Sequence, residues 1–188
     1  MTGRRVLVAG IGNVFLGDDG FGVEVVAELA KRQQPDGVEV ADFGIRGFDL
    51  AYSLMDGYDA AVLVDALPLG RPPGTVSVLE ADLDERERRD PPTQRSGGLG
   101  GAYAVDLGEA YAFDSHGMTP TEVLRLVRHL GGRPPRVLVV GCEPESLGPE
   151  NEGRMGLSQV VDGAVGEAVR IVERLVPDLL AVAPLEVT

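Results

Sequence analysis

The stretch VLVAGIGNVFLGDDGFGVEVVAEL, residues 6–29, contains the signals that decide the fold. Its first residues form a short apolar run, which is typical of a buried strand. A glycine-rich turn follows, and then apolar residues spaced at i, i+4, i+5 and i+8, which predict one buried face of a helix. These helical positions are Phe21, Val25, Val26 and Leu29. The stretch therefore predicts a strand, a tight turn and a helix that ends near Gln33.

Similar apolar runs along the chain predict the other strands of one sheet. Together with the first run they are Val6–Ala9, Val38–Ala41, Ala60–Val64 and Val137–Val140. A fifth run, Thr75–Leu79, alternates polar and apolar residues after Pro72-Pro73-Gly74, which is typical of an antiparallel strand.

Helical patterns separate several of these strands and follow the last one. They are Phe48–Met55, Thr119–Leu130 before Gly131-Gly132, and Ser158–Leu175, which Pro177 should stop. In the last helix the apolar stripe consists of Val161, Val165, Ala168, Val172 and Leu175. Buried strands that alternate with helices need crossover connections. We therefore predict an α/β three-layer sandwich, with a mainly parallel twisted sheet, one antiparallel strand and helices on both faces.

Composition limits the class of protein. The 188 residues, 44% of them hydrophobic and 25% charged, fit a single domain spanning residues 1–188, in which 83–113 form a long irregular loop. A formal net charge of -13 disfavours nucleic acid and anionic membranes as partners. No apolar run reaches the roughly 20 residues that a membrane helix needs. We expect a monomeric cytoplasmic protein.

Three polar residues should meet at the carboxyl edge of the sheet. Asp19 follows the first strand, Asp65 ends the third, and His116 precedes the helix that begins near Thr119. Two carboxylates and one imidazole suit a borderline divalent cation such as nickel, zinc or manganese. Each residue also has a structural alternative, since Asp19 can cap a helix, Asp65 can favour a turn and His116 can be a solvated loop residue.

Several polar or reactive residues near this set are expected to be structural. Asp18 is expected to cap the first helix and His129 to favour the C-terminal end of its own helix. Cys142, the only cysteine, excludes an internal disulfide. It ends a buried strand, where an inert small apolar role is more typical than catalysis.

The glycine-rich turn allows two interpretations. Gly10-x-Gly12 can begin a dinucleotide-binding fingerprint, with Asp42 as the ribose acid, but Phe15 stands where the third glycine belongs. Alternatively, the glycines allow the backbone to turn tightly beneath a cation that Asp19 holds. The second interpretation also explains the two adjacent aspartates.

Five blocks together resemble the nickel-iron hydrogenase maturation endopeptidases. They are GIGNVFLGDDGFG (10–22), DFGIRG (42–47), VLVDA (62–66), SHGMTP (115–120) and GCEPESLG (141–148). The resemblance implies an endopeptidase that removes a C-terminal peptide from the hydrogenase large-subunit precursor once nickel has been inserted. It also implies that Asp19, Asp65 and His116 bind the metal and carry out the reaction.

Other roles follow from the same resemblance. Nickel would be supplied by the substrate, although zinc or cadmium can occupy such a site, and Asp42 and Gly44 are candidates for substrate contact. The second block departs from the Asp-Gly-Gly-Thr of many relatives, because Phe43 and Ile45 replace two of its residues. Two other functions stay open: a Rossmann-like nucleotide-binding module without hydrolase activity, and a non-enzymatic chaperone of the large subunit.

Overall fold

The structure is a computed structural model that describes residues 3–81, 119–148 and 153–181. The predicted long loop at 83–113 and the candidate ligand His116 lie outside the described residues.

Five strands form one sheet in the described part of the chain. They are β1 (Val6–Ile11), β2 (Val38–Gly44), β3 (Ala60–Ala66), β4 (Val76–Glu80) and β5 (Arg136–Cys142), in the order β2-β1-β3-β5-β4. The pairs β1–β2, β1–β3 and β3–β5 are parallel, whereas β4 runs antiparallel to β5. The predicted strands and their directions are confirmed, and the parallel strands extend past their apolar runs at the carboxyl edge.

Four helices cover the two faces of the sheet within the same residues. They are α1 (Phe21–Ala30), α2 (Gly47–Leu54), α3 (Pro120–His129) and α4 (Gln159–Ala181). Alternate residues of β1 point to opposite faces, so Val6 and Val8 pack with α1 and α4, while Leu7 and Ala9 pack with α2 and α3. The predicted three-layer sandwich is confirmed. None of these described helices combines the length and apolarity needed to cross a membrane.

The prediction that Pro177 stops the last helix is wrong, since α4 continues to Ala181. A proline inside a helix costs about 3 kcal/mol because it lacks an N–H and crowds the preceding turn. Pro177 lies on the exposed face of α4, whereas Val176 and Leu179 on either side of it are buried. Burying each of these side chains stabilises the helix by about 1.5–3 kcal/mol, which offsets the cost. Leu175, expected in the buried stripe, is only partly buried.

Close backbone packing fixes where α1 begins. A Cβ atom on Gly22 would lie 2.1 Å from the carbonyl oxygen of Val64 and 2.3 Å from that of Ile11. A Cβ atom on Gly10 would lie 2.4 Å from the carbonyl oxygen of Gly22. The start of α1 therefore packs directly against the ends of β1 and β3, and the glycines allow the helix and strand backbones to approach this closely.

This packing predicts a sharp contrast between two glycines in helices. Gly22→Ala should lower the free energy of unfolding by about 3 kcal/mol, because neither backbone oxygen can move away from the new methyl group. Gly163→Ala in α4, where nothing beyond the adjacent residues and the local helix backbone lies within 4 Å of the new Cβ, should raise it by about 0.5–1 kcal/mol. Urea unfolding of the two variants measures both effects. Equal effects of the two substitutions would contradict the close approach of α1.

Candidate active site

A 3-10 turn, Gly17–Gly20, joins β1 to α1 and carries both aspartates of the opening motif. Asp18 is buried, with 1% of its surface exposed, and its carboxylate accepts hydrogen bonds from two distant segments. The donors are the backbone N–H groups of Glu145 (2.8 Å), Ser146 (3.0 Å) and Ser158 (2.6 Å), and the hydroxyl of Ser158 (3.0 Å). Asp18 thereby ties the turn to the segment after β5 and to the start of α4.

These contacts correct the expected role of Asp18. The N-cap of α1 is Gly20, and no side chain caps this helix, so neither Asp18 nor Asp19 has the predicted capping role. Burial raises the pKa of Asp18, but the hydrogen bonds from Ser158, Ser146 and Glu145 outweigh it and hold the pKa below its ordinary value. Asp18 is therefore an ionised structural group.

Asp19 accepts none of these four hydrogen bonds and is only partly buried. Its Oδ2 accepts a hydrogen bond of 2.6 Å from the backbone N–H of Asn13. Burial nevertheless raises the pKa of Asp19 above its ordinary value. Neighbouring residues in one turn thus have pKa values shifted in opposite directions, because Asp18 receives four hydrogen bonds in the described structure and Asp19 receives one.

Asp65 lies at the end of β3 with 7% of its surface exposed. Its Oδ1 accepts a hydrogen bond of 2.8 Å from the backbone N–H of Ala66. Burial raises the pKa of Asp65 to about 8, and the negative charge of Asp19 contributes to that shift. The fold therefore brings together two of the three predicted site residues, close enough for their charges to repel.

The carboxylate pair has the chemistry that a bound cation needs. Within the described residues, Asp19 and Asp65 each accept a hydrogen bond on one carboxylate oxygen, Oδ2 of Asp19 and Oδ1 of Asp65. A divalent cation would relieve both the desolvation and the mutual repulsion of the two groups. The same ranges contain no group of three His, Cys, Asp or Glu side chains that could hold a metal, so the set with His116 stays a prediction.

Asp42 and Gly44, the predicted substrate contacts, lie on the other side of β1. Asp42 is exposed and pairs in register with Gly10, which in turn pairs with Val64 beside Asp65. Two strand spacings place the backbones of Asp42 and Asp65 about 10 Å apart. Gly44 has a φ of 51° and accepts a hydrogen bond of 3.1 Å from the N–H of Gly12. Both residues therefore lie at the same carboxyl edge of the sheet as the carboxylate pair.

Comparison with known proteins identifies the family. The family model described as hydrogenase maturation protease matches residues 23–85. A relative from Methanocaldococcus jannaschii, named as a hydrogenase maturation protease, is 31% identical over 176 residues, which are 92% of this chain and 96% of the relative. The chain belongs to the hydrogenase maturation proteases. The hydrogenase expression/formation protein HupD of Rhodobacter capsulatus is 32% identical over 89% of this chain and 70% of its own length.

Solved structures agree with this assignment to the maturation proteases. The hydrogenase maturating endopeptidase HybD of Escherichia coli superposes with a TM-score of 0.66 and 26% identity, covering 93% of each chain. A hydrogenase 2 maturation peptidase from Thaumarchaeota archaeon SCGC_AB-539-E09 gives a TM-score of 0.62 and 30% identity, covering 93% of this chain and 99% of the other. Both comparisons support the sheet and helices described above.

Two residues of this maturation protease were expected from the sequence to have structural roles. Cys142 is buried, and burial, followed by the charges of Asp18, Glu143 and Glu167, raises the pKa of its thiol to about 12. A thiol with that pKa supplies almost no thiolate at neutral pH, which agrees with the prediction of an inert residue. His129 is exposed in the last turn of α3, near the amino edge of the sheet, as expected for a residue outside the site.

Glu143 is a site-supporting residue that the sequence analysis missed. Its buried carboxylate follows β5 and accepts hydrogen bonds from the backbone N–H groups of Leu69 (2.7 Å) and Gly70 (3.1 Å). It thereby holds the loop that leaves β3 just after Asp65. The sequence feature that could have identified Glu143 is its position, because an acidic residue at the end of a buried apolar run resembles the placement of Asp65.

The raised pKa of Asp65 predicts an unusual dependence of stability on pH. Between its ordinary pKa of 3.8 and about 8, the folded protein keeps the proton and the unfolded chain loses it. The free energy of unfolding should therefore fall as pH rises through this range, by up to about 1.4 kcal/mol per pH unit. Asp65→Asn removes this pH-dependent contribution, so the stability of the variant relative to the wild type should increase from pH 5 to pH 8. Thermal unfolding in the presence of a chelator measures the difference, and a difference independent of pH would contradict it.

Asp18 should show the opposite pH dependence. Asp18→Asn should lower the free energy of unfolding by about 3 kcal/mol at neutral pH, because an amide cannot accept all four hydrogen bonds. Since the folded pKa is lowered, the stabilisation by Asp18 is present above its ordinary pKa and is lost in acid, where the two proteins should converge. The matched control is Asp162→Asn, at an exposed residue in the first turn of α4, and it should cost less than about 1 kcal/mol. Equal losses of unfolding free energy in the two variants, measured in urea, would show that Asp18 does not hold the three segments together.

Proposed function

We propose that the protein is an endopeptidase that removes the C-terminal peptide of the nickel-iron hydrogenase large-subunit precursor after nickel insertion. The observation that carries the proposal is the carboxylate pair of Asp19 and Asp65 at the carboxyl edge of the sheet. Membership of the hydrogenase maturation proteases supports peptide-bond hydrolysis as the reaction. The proposal adds the nickel of the precursor as the feature that the pair recognises.

Nickel belongs to the substrate in this mechanism. Asp19 and Asp65, with His116 as the third ligand, bind the nickel that the precursor carries and so align the adjoining peptide bond. A bound divalent metal can polarise a carbonyl group or activate a water molecule, so no strong protein nucleophile is required. The raised pKa of the Cys142 thiol agrees with this, because the only cysteine of the chain is not available as a thiolate.

The protonation state of Asp65 connects nickel binding to the release of a proton. With a pKa near 8, Asp65 carries a proton at neutral pH before the substrate docks. Binding of nickel to the carboxylate displaces that proton, because the cation replaces it as the group that neutralises the buried charge. A precursor without nickel offers no cation to replace the proton, so Asp65 stays protonated. The carboxylates therefore distinguish the two forms of the precursor by charge.

The nucleotide-binding alternative has less support. A dinucleotide-binding turn uses its glycines to bring the backbone close to a pyrophosphate. Here Gly10 and Gly22 are in close contact with protein backbone, and a Cβ atom on Gly12 would lie 1.8 Å from the carbonyl oxygen of Asp19. The same turn presents the carboxylate of Asp19, which would repel a phosphate. These glycines therefore support helix packing rather than a phosphate site.

The decisive experiment compares two forms of the precursor. Purified protein is mixed with nickel-loaded or nickel-free large-subunit precursor, and mass spectrometry follows the length of the C-terminus. Only the nickel-loaded form should be shortened. Equal trimming of both would remove nickel recognition from the proposal, and binding without trimming of either would favour the chaperone function.

Single substitutions test the proposed residues. Asp19→Ala, Asp65→Ala and His116→Ala should each slow trimming at least about 100-fold, as expected when a group that binds the metal is lost. His129→Ala, at the other histidine of the chain, should trim at the wild-type rate. Thermal unfolding of each variant separates loss of the site from loss of the fold. Wild-type rates in Asp19→Ala or Asp65→Ala would refute the carboxylate pair as the reactive site.

A further inference from the structure

Three large apolar side chains remain exposed beside the turn that carries Asp19. Phe15, Leu147 and Met155 are 57%, 38% and 72% exposed, respectively. Each lies on a different segment: the loop after β1, the segment after β5, and the approach to α4. We call this group the apolar rim. Exposure of large apolar groups carries a free-energy cost, and several of them close together commonly mark a binding surface.

Hydrogen bonds between the three segments hold the rim in place. The N–H of Arg154 donates to the carbonyl of Phe15 at 2.8 Å, and the N–H of Gly17 donates to the carbonyl of Arg154 at 2.7 Å. The N–H of Asp18 donates to the carbonyl of Ser146, next to Leu147, at 3.3 Å. The backbones that carry the exposed side chains are therefore fixed relative to one another.

The same framework fixes the rim relative to the carboxylate pair. Phe15 precedes Asp19 by four residues, so their backbones are at most about 14 Å apart. Asn13 connects the two residues by hydrogen bonds. Its N–H donates to the Asp19 carboxylate, and its side-chain oxygen accepts a hydrogen bond of 3.0 Å from the N–H of Phe15. A polypeptide with its reacting bond at Asp19 reaches the rim within about four residues.

We propose that the apolar rim binds apolar side chains of the precursor that lie within about four residues of the cleaved bond. This inference rests on the proposed function, since it names the part of the same substrate that the rim recognises. A peptide fits better than a second copy of the chain. Three partly exposed side chains offer far less than the roughly 800 Å² per partner of a stable interface. A net charge of -13 also makes two copies repel each other.

The test uses polar substitutions in the rim and a control matched in residue type and exposure. The rim variants are Phe15→Ser, Leu147→Ser and Met155→Ser. The control is Leu130→Ser, because Leu130 has the same 38% exposure as Leu147 but follows α3 near the amino edge of the sheet. Two quantities are measured: kcat and KM for nickel-loaded precursor, and the Kd for nickel-free precursor by calorimetry.

Each rim variant should raise KM and Kd about tenfold and leave kcat within about threefold, since burying one such side chain contributes that much to affinity. Leu130→Ser should change neither constant more than twofold. KM and Kd equal to those of the control, or a loss confined to kcat, would overturn the rim proposal. Unchanged circular dichroism and Tm would show that the variants fold.

A second arm changes the substrate instead of the protein. Serine substitutions at the apolar precursor residues within four positions of the cleaved bond should weaken binding to the wild type, but weaken binding to Phe15→Ser much less. Equal losses with both proteins would place the contact elsewhere and refute the rim. If the wild type trims neither form of precursor, the proposed function fails, whereas the Kd comparison still decides whether the rim binds the precursor.

Discussion

The direct contact between the start of α1 and the ends of β1 and β3 is the constraint on which the site depends. At Gly22 the space of a side chain is occupied by the carbonyl oxygens of Ile11 and Val64, so the helix cannot move away without opening a gap or move closer without a clash. The 3-10 turn that precedes α1 is fixed by the same contact. The position of Asp19 relative to Asp65 is consequently set by backbone packing, so the pair would need little adjustment to bind the proposed nickel ion.

Two adjacent aspartates in that turn show how environment assigns function. Asp18 is the more buried of the two, yet it is the one stabilised as a carboxylate, because four donors surround it. Asp19 is less buried but poorly hydrogen-bonded, and it lies beside a second carboxylate in Asp65. Burial alone therefore does not determine ionisation in this turn, because hydrogen-bond donors can outweigh it. One aspartate anchors the backbone, and the other lies beside a second carboxylate.

Much of the fold could be predicted from the sequence because its signals are local. Apolar runs such as Ala60–Val64 and the helical spacing from Phe21 to Leu29 each report one element, and the parallel sheet then brings strand ends such as Asp65 to one edge. The partners of Asp18 were unpredictable because they lie 127 to 140 residues away, and hydrogen bonds at that separation leave no periodic pattern. The predicted helix end at Pro177 was wrong for a related reason, since tertiary burial of Val176 and Leu179 outweighs the local helix-stop signal.

The long reach of the Asp18 carboxylate has a consequence for the order of folding during synthesis. A ribosome releases β1 and α1 long before Ser146 and Ser158 exist, and until then the turn lacks the hydrogen-bond donors that fix the Asp18 carboxylate in the folded protein. β4 is in the same situation, because its partner in the sheet is β5, which is made later. Contacts so distant in sequence also favour slow, late assembly. The turn that carries Asp19 therefore reaches its final structure only after Ser158, at the start of α4, has emerged, which places completion of the candidate site late in synthesis.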